Sequence, residues 1–122
     1  MSKSNKEVVL EVLKRAFIDH DPTVVEQYFA AGYKQHNPVI PDGPAAIAKM
    51  IPTLTALKYD PGMAVADGEL VMVHGRYVGW GPKPMVAVDI FRVKDGKVVE
   101  HWDVLQEEVP TASSHPMFTR PE

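Results

Sequence analysis

The chain has 122 residues, 45% of them apolar, and a net charge of −3. That is enough to bury a core in one domain spanning 1–122, and too apolar for a disordered chain. With no basic cluster, nucleic acid is not an expected partner. With no cysteine, disulfides, thiol chemistry and Cys-type zinc sites are excluded, in keeping with a cytoplasmic location. No apolar run approaches a membrane span and the N-terminus, MSKSNKEVV, lacks the apolar centre of a signal peptide, so no membrane partner is expected.

Asn5 to His20 reads as a helix, with Val8, Val9, Val12, Leu13, Ala16 and Phe17 recurring at helical spacing among charged residues. Asp21-Pro22 opens a second, short helix, with Asp21 as N-cap and Pro22 in the first turn. It carries Val24, Val25, Tyr28 and Phe29 and stops near Gly32. A short extended segment, Tyr33 to Asn37, ends at Pro38, because a residue before proline avoids the helical region. His36 within it is either a pocket residue or a satisfied loop histidine. Asp42-Gly43-Pro44 starts a third helix, running to about Leu57, which Pro52 should kink or divide.

From Tyr59 onward the pattern changes to strands. Met63–Ala66 and Leu70–Val78 flank an Asp67-Gly68 turn, with His74 and Arg76 on the face of Leu70 and Met72. Gly79 to Pro84 is a loop whose Trp80 either rims a cavity or covers the core. Met117 and Phe118 lie in an extended tail, 107–122, rich in Pro, Ser and Thr. They dock on the body or on a neighbouring subunit, or the tail is loose. Helices first and mainly antiparallel strands after them indicate an α+β fold, with helices on one face of a curved sheet.

The stretch Val86 to Gln106 is the most informative. Its Val, Ile, Phe and Trp suit a half-buried pleated surface, and Asp95-Gly96 marks a tight turn. Asp89, His101 and Asp103 interrupt it, and carboxylates among Val and Phe are costly unless paired, protonated or used. A two-residue turn sets Asp89 opposite Trp102. A three-residue turn, Lys94 to Gly96, sets Asp89 opposite His101 and Ala87 opposite Asp103. The second is preferred, because it gathers Ala87, Asp89, Phe91, Val99, His101, Asp103 and Leu105 on one face. Val88, Ile90, Arg92, Val98, Glu100, Trp102 and Val104 then share the other.

His36, His74, His101, Asp89 and Asp103 follow no recognised ligand spacing, so no metal is expected. No nucleophile-elbow serine and no Gly-rich phosphate loop occurs, so no cofactor is expected. What remains is acid–base work by Asp89 and Asp103 beside His101. Burial and mutual repulsion separate the pKa values of two such carboxylates. One as base suits proton abstraction next to a carbonyl, with a histidine or neutral acid holding the enolate oxygen. The alternative is a hydrogen-bonded network that only fixes the fold.

Tyr33-Lys34-Gln35-His36-Asn37-Pro38, with Asp89-Ile90-Phe91-Arg92, Gly96-Lys97 and Glu100-His101-Trp102-Asp103, resembles the SnoaL-like group. These are polyketide cyclases and their relatives in the NTF2-like (nuclear transport factor 2-like) superfamily. The resemblance runs from the first helix to about Gln106. It implies a cone-shaped, mainly antiparallel sheet with three helices on its concave face, an apolar pocket between, and a homodimer packed sheet on sheet. In the cyclases an aspartate is general acid/base in an aldol closure, without metal or cofactor. Asp103 matches that aspartate and His36 matches a pocket histidine. Asp89 stands where the cyclases tend to have histidine.

The implied site has Asp103, His36, Asp89 and His101 as catalytic residues, and Tyr33, Asn37, Phe91, Trp102 and Trp80 in contact with substrate. The implied substrate is a small apolar carbonyl compound. A non-catalytic pocket for an apolar ligand is the other reading, since fold does not fix function.

Overall fold

The computed structural model describes residues 3–110 and 114–121. The first helix, α1 (Asn5–Phe17), is closed at its start by a reciprocal cap. The Glu7 amide donates to Ser4 Oγ and the Ser4 amide to Glu7 Oε1. The expected extension to His20 does not form. His20 takes a left-handed backbone (φ 53°) that a helix cannot continue through. Helix α2 (Thr23–Tyr28) has Pro22 at its N-cap. Asp21 sits one residue earlier than an N-cap and accepts from the Thr23 amide and hydroxyl. Phe29, expected in this helix, instead begins strand β1 (Phe29–Gln35). The chain is therefore extended well before Tyr33.

Helix α3 (Pro44–Met50) gives way to a single 3-10 turn at Ile51–Thr53. Pro52 divides the segment as its missing N–H requires, and no helix continues to Leu57. Four strands follow: β2 (Lys58–Asp67), β3 (Leu70–Val78), β4 (Met85–Lys94) and β5 (Lys97–Glu107). β2 is longer than expected and includes Pro61, which an edge strand tolerates. Its turn to β3 is Gly68-Glu69, with Asp67 paired to Leu70.

The sheet order is β1-β5-β4-β3-β2. All pairs are antiparallel except β1 with β5, which run parallel. Helix α1 lies across β2, β3 and β4, and α3 packs on α2 and β1. Between helices and sheet, Val9, Leu13, Val24, Ile51, Val71, Val73, Val93 and Val98 are buried to 2% exposure or less. Each contributes about 1.5–3 kcal/mol of burial. The α+β architecture with helices on the concave face is thus as the sequence indicates.

The central hairpin corrects the expected register. Its turn is the two-residue Asp95-Gly96, both left-handed (φ 52° and 75°), joining Lys94 to Lys97. One step on, Val93 faces Val98 but Arg92 faces Glu100, so Val99 is an extra, bulged residue. From there Asp89 faces Asp103, Phe91 faces His101 and Ile90 faces Trp102. Neither turn considered above gives this pairing. The bulge restores the inward face of Ala87, Asp89, Phe91, His101, Asp103 and Leu105, while Val98 replaces Val99 on it.

The outward face of the sheet keeps exposed apolar groups, among them Met63, Val65, Met72 and Val104. The tail folds back on the β2–β3 end of that face. Phe118 packs on His74 (ring centroids 5.7 Å apart), and Arg120 meets Asp60 at 2.8 Å. Residues 111–113 and 122 of the expected tail lie outside the described residues.

Candidate active site

Three strands build the site. On β1 and its continuation, side chains alternate in the usual strand period. Tyr33 and Asn37 are buried on the inner face with Gln35 between them, while Lys34 and His36 point out. β4 supplies Asp89 and β5 supplies His101 and Asp103; Asp89 faces Asp103, and His101 faces Gln35 of β1. Asp89, Asn37 and His101 are 4%, 6% and 6% exposed, and the Asp103 side chain 9%.

The buried polar groups are joined in one network. Tyr77 donates its hydroxyl proton to Asp89 Oδ2 at 2.6 Å, and His101 Nε2 lies 2.8 Å from Asp89 Oδ1. His101 Nδ1 lies 2.7 Å from Gln35 Oε1, which also accepts the Asn37 amide at 3.0 Å. Gln35 Nε2 donates to the Tyr33 hydroxyl at 2.8 Å. Asn37 Nδ2 donates to both oxygens of Asp103, at 3.0 and 2.8 Å, and its own Oδ1 accepts the Val39 amide at 2.9 Å. His101 Nε2 is 3.9 Å from Asp103 Oδ2, between the two carboxylates.

This network forms one wall of a cavity between sheet and helices. Asp89, His101, Asp103 and Tyr33 line it together with Phe29, Phe91, Trp80 and Leu13. Its free space is about 50 Å³, room for a handful of waters at ~10–15 Å³ each. Only a small ligand fits without the walls moving. Among the described residues no Lys or Arg lines it.

Burial is the dominant influence on the Asp103 carboxyl and raises its pKa above the ordinary 3.8. The Asn37 amide and the nearby His101 oppose that rise, and Asp89 adds to it. Burial also pushes the phenols of Tyr33 and Tyr77 above their usual range, helped by the Asp89 charge. Both therefore stay neutral donors at physiological pH. Two carboxylates facing each other across one ladder are costly when both ionise. The Tyr77 hydroxyl, His101 and the Asn37 amide offset that cost.

The structure brings together Asp103, Asp89, His101, Asn37, Tyr33, Phe91 and Trp80 from the sequence expectation. It does not bring His36 or Trp102. Both point to the outer face, where their rings stack (centroids 5.0 Å, planes 2° apart) and His36 Nε2 meets Glu100 Oε2 at 2.7 Å. The reason is the strand period, which sends His36 opposite to Asn37 and Trp102 opposite to Asp103. Gln35 and Tyr77 join the site as well, outside the sequence expectation. Their signal was the same alternation: Gln35 lies between Tyr33 and Asn37 by steps of two, and Tyr77 continues Val71, Val73 and Gly75.

As to metals, His36 and His74 are on the outer face. One donor atom each from Asp89, His101 and Asp103 lie within 4.8 Å of one another. A cation there would have to replace the Asp89–His101 contact, whereas the bonds from Tyr77 and Asn37 could remain on other lone pairs of the carboxylates.

Residues 9–101 match the family model of the SnoaL-like domain. The chain belongs to the SnoaL-like domain family. Among solved structures, this SnoaL-like chain is similar to an NTF2-like protein of unknown function from Cytophaga hutchinsonii (13% identity, TM-score 0.75, covering 87% of this chain and 93% of that one). It is also similar to a candidate polyketide cyclase from Acidithiobacillus ferrooxidans (19%, TM-score 0.69, 86% and 91%). A third is an NTF2-like protein of unknown function from Mesorhizobium loti (24%, TM-score 0.66, 87% and 97%). At these identities the likeness is one of fold. No curated protein matches the chain. Among the described residues no helix is long and apolar enough to cross a membrane.

Proposed function

We propose that this SnoaL-like protein is a cofactor-free acid–base enzyme. It removes a proton alpha to the carbonyl of a small, uncharged, apolar substrate, as in an aldol condensation or cyclisation. The observation that carries this reading is Asp103: a half-buried carboxylate lining an apolar cavity, held by a single side-chain amide, with a raised pKa. A carboxylate that is poorly solvated when ionised is a stronger base than one in water. Asp103 takes the proton. Negative charge then develops on the substrate oxygen, which needs a neutral donor. The Tyr33 hydroxyl supplies one, since it accepts from Gln35 and its own proton remains available. Asp89 and His101 carry the shared proton beside it. Trp80, Phe91 and Phe29 exclude water, and the size of the cavity favours a substrate of about one ring. The apolar outer face supports a homodimer through the sheet.

One observation favours a second reading, a binding pocket without chemistry. Both oxygens of Asp89 and both ring nitrogens of His101 already have partners within the protein. The two readings separate in one experiment. Deuterium exchange at the alpha carbon of β-keto esters and aryl ketones is followed by NMR, with wild type and Asp103→Asn. The enzyme reading expects exchange by wild type and a loss of roughly 10²–10⁴-fold in the variant. Binding of panel members by both proteins without exchange supports the pocket reading instead.

A further inference from the structure

Backbone amides dictate the direction of the whole buried network. The Val39 amide has a hydrogen to give, so the Asn37 atom facing it is the oxygen, and its NH₂ must face Asp103. The Asn37 amide likewise requires the Gln35 atom facing it to be oxygen. That oxygen has no hydrogen to offer the imidazole. His101 Nδ1, 2.7 Å away, must then carry a proton. The other ring nitrogen faces Asp89 Oδ1 at 2.8 Å. One proton occupies that contact. It rests on Asp89 with a neutral imidazole, or on Nε2 with an ionised carboxylate.

The far side of the Gln35 amide acts in the same sense. Its NH₂ donates to the Tyr33 hydroxyl, so the phenolic proton cannot turn back toward Gln35. The backbone N–H of Gln35 is itself anchored on Asp42 Oδ1 at 2.7 Å. Each polar atom of this side chain therefore fixes a proton elsewhere. We infer that Gln35 is the positioning residue of the site: it holds His101 as the Nδ1-protonated form and leaves the Tyr33 hydroxyl proton free toward the cavity. Without an acceptor at Nδ1, a neutral imidazole beside an ionised Asp89 would adopt the opposite form, protonated at Nε2.

The placement of these protons does not depend on Asp103 being the base; its effect on rate rests on the function proposed above. The test uses the full chain labelled with nitrogen-15, with His101 signals assigned by their loss in His101→Gln. Wild type is expected to show a protonated, pyrrole-type Nδ1. Gln35→Met is expected to convert that nitrogen to the unprotonated, pyridine type. Gln35→Glu, which still accepts from both His101 and the Asn37 amide, should keep Nδ1 protonated. A wild-type Nδ1 of pyridine type, or a Gln35→Met spectrum like wild type, overturns the inference. Should Gln35→Met fail to fold, wild type and Gln35→Glu decide on the same criterion. In carbon-acid exchange, Gln35→Met should lose on the order of 100-fold, as for a misplaced reacting group, and Gln35→Glu should recover part of it. A tautomer change in a protein that exchanges no carbonyl compound would leave the positioning role standing and remove the enzyme reading. Exchange by wild type with no tautomer change would do the reverse.

Discussion

Asn37 ties a loop to the proposed base through its side chain and its backbone amide. Its NH₂ grips both oxygens of Asp103, its side-chain oxygen holds Val39, and its amide holds Gln35. This grip favours the ionised carboxylate and works against burial, the larger influence. Asp103 must be ionised to accept a proton, so the exchange rate should fall as the pH drops through its raised pKa, at a pH above the ordinary 3.8. Removing the amide removes the lowering contribution. Asn37→Ala should therefore move this acid limb to higher pH, with a lower rate at any pH below the plateau. A pH–rate profile checks it, and a limb that stays put or moves down would contradict the role given to Asn37.

At the scale of elements, the inner sheet face is packed closely enough to test. Gly75 on β3 sits beneath the ring of Tyr59, and a Cβ there would lie 2.6 Å from Tyr59 Cε1 and 2.8 Å from its hydroxyl oxygen. Tyr59 also packs on Tyr77 and Phe17, so its ring has little room to retreat. Gly75→Ala should cost about 1–3 kcal/mol by overpacking, read as a lower urea midpoint at unchanged slope. The fold's elements were legible in the sequence because periodicity is written along it: Val8 to Phe17 at helical spacing, Leu70 to Val78 by twos. What was not legible is what depends on a single residue of phase. Val99 leaves the ladder as a bulge, and no local preference of Val98-Val99 distinguishes it from a paired residue. Likewise, reading Tyr33 to Asn37 as a motif placed His36 in the pocket. Following the strand alternation puts Gln35, not His36, on the inner side against His101.

For the whole molecule, the two sheet faces have different fates. The inner one is closed by the helices. Among the described residues, the tail covers the outer one near Gly62, His74 and Asp60, and Val104 and Val65 are 67% and 62% exposed. Val104 stands opposite Val88 and next to the paired Ile90 and Trp102. An apolar sheet face of this kind is where a second copy would sit. If the proposed homodimer forms there, wild type should sediment as a dimer at micromolar concentration and Val104→Lys as a monomer. Wild type sedimenting as a monomer would remove this part of the proposal.

The strand order also decides how the site comes apart. β1 lies at the edge, and its only strand neighbour is β5, paired through Phe29, Lys34 and Gln35. Its two polar links into the site, Gln35 to His101 and Asn37 to Asp103, each join residues 66 apart in sequence. The four antiparallel strands pair with one another, and α1 packs on β2, β3 and β4, through contacts that do not involve β1. Peeling of one edge strand would therefore release the imidazole and the base together while most of the core stays dry. Heat should then take apart the candidate site before it melts the protein, and the free energy that protects any proposed exchange activity is that of an edge rather than of the fold.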